Sequence, residues 1–323
     1  MPTLPAQPVD PFDDALADLR IVGTVLLHCA YAPPWAVDVP AEPELRGLIQ
    51  APPHARVLVF HHVRAEAFEL RLGGAPPLDV GLRDIALVTD GAAHRLSRGD
   101  CHTAVPLASI LAGMGPPPTP RGTAGATELI CGVFVTQGVP LNPLLGALPP
   151  VLRVTAADDS ATPMLAGTVA LLAQELDRGA STGFSAARLL ELMCAETLKV
   201  HRDSAGATIE PGWLRGLADA RLGAALRCVH ERPQEAWSVE RLAGKVALSP
   251  SRFAARFRAG VGMSVMGYVA QWRANVACRL LIEGQLPLAE VAARVGYDSV
   301  PAFSRAFKGQ LGQPPGAWRL ARR

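Results

Sequence analysis

The 323-residue sequence lacks the features of a membrane, secreted or disordered protein. No apolar run approaches the roughly 18 residues that a membrane-spanning helix requires. The N-terminus has no basic segment followed by an apolar stretch, which a secretory signal would show. Charged residues make up only 19% of the chain and hydrophobic residues 49%, so it can bury substantial cores. We therefore expect a folded cytoplasmic protein that does not bind membranes, and the length favours two domains.

Cysteines and aromatic residues are also scarce. The six cysteines stand at scattered positions, which is not typical of a disulfide framework in a chain this long. Aromatic residues account for 5%, so a sugar pocket lined with stacking rings is not indicated. Trp35 remains a candidate for lining a ligand pocket.

Positive charge is concentrated in the C-terminal third. Residues 213–323 hold 17 Lys and Arg against 7 Asp and Glu, a net charge of +10, whereas the remainder carries −8. A basic module on an acidic body is the electrostatic pattern expected of nucleic-acid binding. A merely solvated basic face would give the same count, so charge alone leaves both interpretations open.

The pattern changes from short apolar runs to helical periodicity near residue 156. Five short runs separated by Gly- and Pro-rich turns favour a sandwich or barrel. These runs are Ile21–Ala30, Ala55–Val63, Ala67–Leu72, Ile85–Thr89 and Leu129–Val135. Pro163–Arg178 and Phe184–Arg202 then predict a helical hairpin. Its apolar stripes suit a homodimer contact, and simple packing on the strands is the alternative.

One internal duplication marks the C-terminal region. Residues 237–257 and 286–307 each contain a short amphipathic segment, a tight turn and a second helix ending in Phe-x3-Phe. Gly296 stands at the second turn, where glycine tolerates a positive φ. The helical pattern Ser264–Glu283 would span roughly 30 Å, close to one DNA turn of about 34 Å. The spacing predicts two helix-turn-helix units that enter successive major grooves.

Phenylalanines at i, i+4 spacing predict which faces of the two second helices are buried. Phe253, Phe257, Phe303 and Phe307 belong to the core in this interpretation, together with Trp272. The predicted DNA-facing residues are Ser251, Arg252, Arg256, Val300, Ala302, Ser304, Arg305 and Lys308. We expect Arg305 to contact a base or a phosphate. We expect Arg252 and Arg256 to bind phosphates rather than bases.

Residues 218–320 resemble the AraC-type DNA-binding domain. The matching segments are Ala289-Glu-Val-Ala-x-x-Val-Gly-Tyr297, Phe303-Ser-Arg-Ala-Phe-Lys308, Gly312-x-Pro-Pro315 and Trp318-Arg319. The resemblance implies a transcription regulator, not an enzyme, with double-stranded DNA and RNA polymerase as partners. Ala254, Ala255, Val300 and Pro301 replace residues that are often polar in this family. Few base contacts are therefore expected, and DNA shape would add specificity.

The first 155 residues resemble, more loosely, the cupin effector domain of one branch of AraC-like regulators. The matching segments are Asp10-Pro-Phe-Asp-Asp14, Pro34-Trp-Ala-Val37, His61-His-Val-x-x-Glu66 and Asp84-x5-Asp-Gly-Ala-Ala-His-Arg-Leu96. Some members of that branch respond to oxidants or metals, and their sensing thiols fall near Cys29 and Cys131. The expected α+β architecture is a β-barrel at 1–155, a helical hairpin at 156–202, a linker at 203–216 and an all-α double helix-turn-helix domain at 217–323.

Strand alternation places four potential ligands inside the predicted barrel. His61 shares the apolar face of its strand, and Cys29 and Cys131 share the apolar faces of theirs. With His94, they would form a Cys₂His₂ set suited to tetrahedral zinc, and oxidation of the thiolates would release the metal. Two buried thiols and two hydrogen-bonded histidines explain the same residues without a cofactor.

Three alternatives to a metal or redox sensor stay open at this point. An organic effector could occupy the barrel, lined by Trp35 and His94, or the domain could bind no ligand. A cupin metalloenzyme is disfavoured because the adjacent His61 and His62 point to opposite faces of their strand. Glu66 shares its parity with His62, so two expected ligands would face away from the barrel interior.

Overall fold

The computed structural model describes residues 10–136, 140–156, 162–179, 183–204, 212–284 and 286–322. The described parts of residues 20–138 and 148–204 form one compact unit, here the sheet unit. The described parts of 205–323 form a second compact unit, here the helical unit, which also contains residues 10–19 and 140–147. Two segments that the sequence places with the effector domain therefore group with the DNA-binding helices.

The sheet unit contains two five-stranded sheets. Its strands are β1 (Ile21–Tyr31), β2 (Trp35–Val39), β3 (Arg56–Ala65), β4 (Phe68–Leu72), β5 (Leu78–Val80), β6 (Asp84–Val88), β7 (His94–Arg98), β8 (Val105–Pro106), β9 (Thr127–Thr136) and β10 (Val151–Thr155). The first sheet has the order β1-β9-β3-β6-β10, and the second has the order β5-β4-β7-β2-β8. Within the described residues the two sheets are separate, so the predicted barrel takes the form of two packed sheets.

Alternating residues of both sheets form one apolar core between them. Val57, Val59 and Val63 of β3 are buried there, together with Val37 of β2 and Leu96 of β7. This alternation is the one that the sequence predicts for β3, because successive side chains of a strand point to opposite faces. The side of β3 that faces the core therefore carries the alternate residues of the strand to which His61 belongs.

A helical hairpin packs against the first sheet. The helices of the sheet unit are α2 (Glu42–Leu48), α3 (Leu107–Leu111), α5 (Pro163–Asp177) and α6 (Phe184–Ser204). The last two match the predicted hairpin, and α6 packs on β1 and β10. A Cβ at Gly23 would lie 2.4 Å from the Cβ of Leu190, so β1 needs a glycine where α6 crosses it. Met164, Leu171 and Phe184 stay more than half exposed on the hairpin.

The helical unit follows the predicted duplication. Its helices are α1 (Pro11–Ala17), α4 (Pro143–Gly146), α7 (Trp213–Ala218), α8 (Ala220–Glu231), α9 (Val239–Lys245), α10 (Pro250–Val261), α11 (Val265–Glu283), α12 (Leu288–Arg294), α13 (Val300–Leu311) and α14 (Pro315–Leu320). The pairs α9–α10 and α12–α13 are the two helix-turn-helix units, and α11 is the predicted spacer. No helix in the described ranges has both the length and the apolarity to cross a membrane.

Local sequence signals account for the ends of these helices. A proline stands in the first turn of both α10 and α13, where its missing N–H costs nothing. The Ser299 side chain accepts a hydrogen bond from the backbone N–H of Ala302, as an N-cap should. Gly262 and Gly312 end the two helices in the left-handed conformation. The central part of the predicted linker, residues 205–211, lies outside the described residues.

Candidate DNA interface and effector site

The second helices of both units bury one face and expose the other. Phe253 and Phe257 of α10 are at most 2% exposed, and so are Phe303 and Phe307 of α13. Within each pair the rings lie edge to face. This packing leaves the opposite faces of both helices for DNA, in the arrangement that the i, i+4 spacing predicts.

The predicted DNA-facing residues all lie at the surface or partly at the surface. Ser251, Arg252, Arg256, Arg305 and Lys308 are exposed. Val300, Ala302 and Ser304 are half-buried. A side chain must project from the helix to reach a base edge. The three half-buried residues therefore suit a close approach of the helix backbone to the DNA better than contacts through extended side chains.

The cations on these faces differ in their protein partners. Arg256 donates hydrogen bonds from Nε and Nη2 to Asp219 Oδ2, at 2.9 and 2.6 Å. In the described part of the chain, Arg252, Arg305 and Lys308 form no such ion pair. Arg294 pairs with Glu290 at 2.6 Å one helical turn away. Arg252, Arg305 and Lys308 are therefore the cations available to phosphates without breaking an ion pair.

One arginine of the spacer helix links the two helix-turn-helix units. Arg273 of α11 donates to the backbone carbonyls of Pro233 and Glu235, ahead of the first unit, at 2.8 and 2.7 Å. Its guanidinium also lies 5.4 Å from the ring centroid of Tyr297 in the second turn. This cation–π contact and the two hydrogen bonds fix the second turn relative to the first unit.

In the sheet unit, the four predicted Cys and His residues lie on neighbouring inner positions. Cys131 of β9 is the register partner of His61 on β3. On its other side, β9 pairs with β1, where Cys29 is diagonal to Cys131 because Leu27 is directly opposite Cys131. His94 comes from β7 of the second sheet, and its Nε2 lies 2.9 Å from Nε2 of His61. The series Cys29, Cys131, His61 and His94 thus crosses the core from one sheet to the other.

The two histidines form a neutral buried pair. His94 Nδ1 lies 2.9 Å from the carbonyl oxygen of Ala92, which only an N–H can satisfy. His94 Nε2 must then accept the hydrogen bond that His61 Nε2 donates. Burial lowers the pKa of both rings, and the neighbouring His94 lowers the pKa of His61 further. His61 Nδ1 is left buried without a hydrogen-bond partner among the described residues.

Comparison with known families gives the geometry its context. Residues 10–203 match a cupin family model, and residues 242–321 match a helix-turn-helix domain model. An AraC-like transcription regulator from Streptomyces lividans is 31% identical over 313 residues, 96% of this chain and 98% of its own length. The chain belongs to the AraC family of transcription regulators. It is an AraC-type DNA-binding regulator with an N-terminal cupin domain.

Two further similarities concern the whole chain and the DNA-binding region of this AraC-type regulator. The RCS-specific transcriptional activator RclR of Escherichia coli is 26% identical over 313 residues, which is 95% of this chain and 97% of that protein. A solved DNA complex of the AdpA DNA-binding domain is 32% identical and covers 32% of this chain and 95% of that one, with a TM-score of 0.32. The two-domain α+β fold expected from sequence is confirmed.

The thiols of Cys29 and Cys131 are unequally accessible. Cys131 is 3% exposed, whereas Cys29 is half-buried. Burial raises the pKa of both thiols, and the neighbouring Cys29 raises that of Cys131 further. Tyr31, two residues along β1 and on the same face, hydrogen-bonds Cys29. Tyr31 is not among the predicted site residues, although the strand alternation that selects Cys29 also selects Tyr31.

The arrangement does not fit zinc. Within the described ranges, no three His, Cys, Asp or Glu side chains are gathered as metal ligands. The two Nε2 atoms that zinc would need as lone-pair donors are instead joined by a hydrogen bond.

A polar cavity of about 1050 Å³ opens beside the histidine pair. Phe68 and the inward-facing His94 line one part of the cavity, and Arg95 and Cys101 line its more polar part. Arg95 is held by Asp38 through hydrogen bonds of 2.7 and 2.9 Å. Trp35 is not among the lining residues, because it is buried between Tyr31 and Phe68 in the core. His94 is therefore the one of the four predicted residues that borders the cavity.

Proposed function

We propose that this AraC-type regulator changes its DNA binding when Cys29 and Cys131 are oxidised. The observation that carries the proposal is the convergence of four residues, up to 102 positions apart, on one inner patch of the sheet unit. Cys29 is the more accessible thiol and would react first. Cys131, buried beside it, would resolve the product.

The chemistry needs a strong, small and neutral oxidant. The raised pKa of both thiols keeps the thiolate fraction low, which slows attack on weak oxidants. Hypochlorous acid would oxidise the Cys29 thiol by two electrons to a sulfenic acid and be reduced to chloride, with release of a proton. The Cys131 sulfur would then form the S–S bond, the S–O bond would break, and water would leave.

Formation of that bond would displace β1. Diagonal residues of an antiparallel pair lie about 7–8 Å apart, whereas a disulfide joins Cα atoms about 4.4–6.8 Å apart. The bond therefore requires β1 to move toward β9 or to slip along it. A strained disulfide of this kind is readily reduced again, as a reversible switch requires.

The test measures DNA affinity before and after oxidation of the full chain. Duplexes would first be selected from a random pool by the reduced wild-type protein. One equivalent of hypochlorous acid should then change the affinity for these duplexes about tenfold or more, and dithiothreitol should reverse the change. An equivalent of hydrogen peroxide should act far more slowly.

Three cysteine variants give the controls. Cys29→Ser and Cys131→Ser should abolish the response, whereas Cys228→Ser should keep it, because Cys228 is a half-buried thiol on α8 of the helical unit. Thiol alkylation followed by mass measurement should show loss of two thiols in the wild type. A full response in Cys29→Ser, or no response in the wild type, would exclude the proposal.

An organic effector is the second candidate, and the cavity beside His94 favours it. Its volume suits a small ligand, and its rim mixes arginines with carboxylates, which favours a polar molecule over an apolar one. A His94→Ala variant that loses regulation while Cys29→Ser retains it would move the proposal from the thiols to this cavity.

The remaining proposals concern DNA contacts and partners. We infer that Arg252, Arg305 and Lys308 bind DNA directly, with Ser251, Val300, Ala302 and Ser304 beside them. Arg256 would join only if its ion pair with Asp219 opened. We further propose that the regulator has RNA polymerase as a partner and forms a homodimer through α5 and α6. It would act in the cytosol without catalytic activity. Exposed Met164, Leu171 and Phe184 support the dimer.

A further inference from the structure

The N-terminal helix α1 is packed within the helical unit although the chain continues from it directly into the sensor strand β1. Phe12, Ala15 and Leu19 are at most 1% exposed. The Phe12 ring stacks on Trp213 of α7, with centroids 6.5 Å apart and planes 15° apart. Asn142 donates a 2.6 Å hydrogen bond to the carbonyl oxygen of Ala15. The helix is therefore contacted by residues from two distant parts of the chain.

Buried polar groups of the helical unit have their partners on α1. Asn275 of α11 is fully buried and donates to Asp18 Oδ2 at 2.9 Å. Arg279, one turn later, donates to Asp18 Oδ1 at 2.6 Å. Without α1, Asn275 would lose its only hydrogen bond described here, and an unpaired buried polar group is costly.

A second hydrogen-bonded series also ends on α1. Trp213 Nε1 donates to the Tyr268 hydroxyl at 2.7 Å, and that hydroxyl lies 2.6 Å from His230 Nε2. His230 Nδ1 lies 3.3 Å from Asp14 Oδ2. Because Nε2 accepts from Tyr268, the proton on Nδ1 points to Asp14. Helices α7, α8 and α11 thus share one buried network that Asp14 completes.

The contacts of α1 leave the DNA-facing surface open. They involve α7, α8 and the inner face of α11, while Arg252 and Arg305 stay exposed on α10 and α13. Docked α1 therefore does not compete with DNA. Its contacts connect α8, which precedes the first helix-turn-helix unit, with α11, the spacer that leads to the second.

We propose that docked α1 is a required component of the DNA-binding unit, and that its release lowers DNA affinity. Leu19 is buried in the helical unit, β1 begins at Ile21, and only Arg20 lies between them. Arg20 has a φ of 39°, in the left-handed region that non-glycine residues rarely adopt. The covalent link between β1 and α1 is therefore a single residue.

Strand β9 leaves the sheet beside β1, since Thr136 is the register partner of Ile21. The chain then reaches residues 140–147, which also pack in the helical unit; Leu141 accepts a hydrogen bond from Gln271 of α11 at 3.3 Å. Both strands that carry the thiols therefore lead into segments of the helical unit. The idea that oxidation of the thiols releases α1 rests on the proposed function. The requirement for docked α1 in DNA binding does not.

The experiment uses the full reduced chain and duplexes selected by the wild type from a random pool. Phe12→Ala and Asp18→Asn should each weaken DNA binding about tenfold or more at a temperature where circular dichroism shows the fold intact. Asp13→Asn is the matched control, because Asp13 is exposed on the same helix. It should bind as the wild type does. Asp18→Asn keeps the side-chain volume, so it tests the contact if Phe12→Ala does not fold.

Hydrogen exchange supplies a readout that a passive structural role would not change. If docking favours DNA binding, DNA must favour docking to the same extent. The amides of residues 11–19 should therefore exchange more slowly when DNA is added. Unchanged or tighter DNA binding in Asp18→Asn, or unchanged exchange of α1 on DNA, would overturn the inference. If oxidation does not change the DNA affinity of the wild type while the α1 variants bind DNA more weakly, the redox trigger is excluded. The requirement for α1 in DNA binding then still holds.

Discussion

The two helix-turn-helix units share one design but meet the same backbone demand with different residues. In the first unit the turn after α9 places Ala247 at a φ of 52°, and in the second the turn after α12 places Gly296 at a φ of 80°. A Cβ on Gly296 would lie 2.7 Å from Arg273 Nη2 and 2.8 Å from the carbonyl oxygen of Gln234. The comparison shows that the left-handed turn tolerates alanine unless another part of the chain packs against it.

The units also differ in the charge that they present. Two residues after its first phenylalanine, α10 has Ala255, whereas α13 has Arg305 at the same position. The nearest arginine of α10, Arg256, is directed to Asp219. The second unit therefore offers an unpaired cation at a position where the first offers a methyl group, and we expect the two units to contact DNA in different ways.

Truncating the equivalent phenylalanines should have the largest effect and should be equal in the two units. Phe253→Ala and Phe303→Ala should each lower the free energy of unfolding of the helical unit by about 3–5 kcal/mol, since both rings are fully buried. Urea unfolding followed by far-ultraviolet circular dichroism measures this. A large cost for only one of them would show that the two cores are not equivalent.

Replacement of the turn glycine should come next. Gly296→Ala should cost about 1–3 kcal/mol through its positive φ alone, and the contacts with Arg273 and Gln234 add to this. Gly244→Ala is the control: its Cβ meets nothing within 4 Å in α9, so it should stabilise the protein by about 0.5–1 kcal/mol. Equal melting temperatures for the two variants would contradict the account of the turn.

Loss of the unpaired arginine should affect DNA rather than folding. Arg305→Ala should weaken binding to selected duplexes by about 1–3 kcal/mol and relax the preference at one base position. Arg256→Ala should weaken it less, because the ion pair with Asp219 already satisfies that guanidinium. Selection from a random pool with each variant reports both effects. A uniform loss on every sequence would make Arg305 a phosphate contact.

The smallest expected effect is a gain. Ala247→Gly should stabilise the first unit by about 0.5 kcal/mol, because relief of the left-handed strain exceeds the added entropy of the unfolded glycine by a small margin. Differential scanning calorimetry can resolve a shift of this size. A lower melting temperature would mean that the strain at Ala247 is smaller than the stability lost through the added entropy of the unfolded glycine.

The parts of the fold that the sequence predicted are those with local signals. The five apolar runs correspond to β1, β3, β4, β6 and β9, because each is punctuated by turn residues. The strands β2, β5, β7, β8 and β10 were not predicted. In β7 the reason is local, because Arg95 and Ser97 interrupt the apolar pattern. Helix ends were predictable from Ser-Pro and glycine signals at α10 and α13.

The site residues were predictable only where strand alternation alone decides which side chains face the core. Alternation selected His61, Cys29 and Cys131, but it could not show that His94 comes from the other sheet and bonds His61. The cavity and the place of Trp35 depend on how the two sheets pack. Likewise no periodicity in the sequence pairs Asp18 with Asn275 across 257 positions, so the grouping of α1 with the DNA-binding helices was not expected.

The buried Asp18–Asn275 contact has a consequence for protein engineering. AraC-type chains invite modular exchange, in which one protein's sensor is joined to another's DNA-binding region at the linker between them. A chimera cut at residues 203–216 would here carry a foreign N-terminal helix opposite Asn275 and Arg279. Such hybrids should recover function only when residues 10–19 and 140–147 are transplanted together with the C-terminal helices. The compact unit that contains the DNA-binding helices is therefore discontinuous along the sequence.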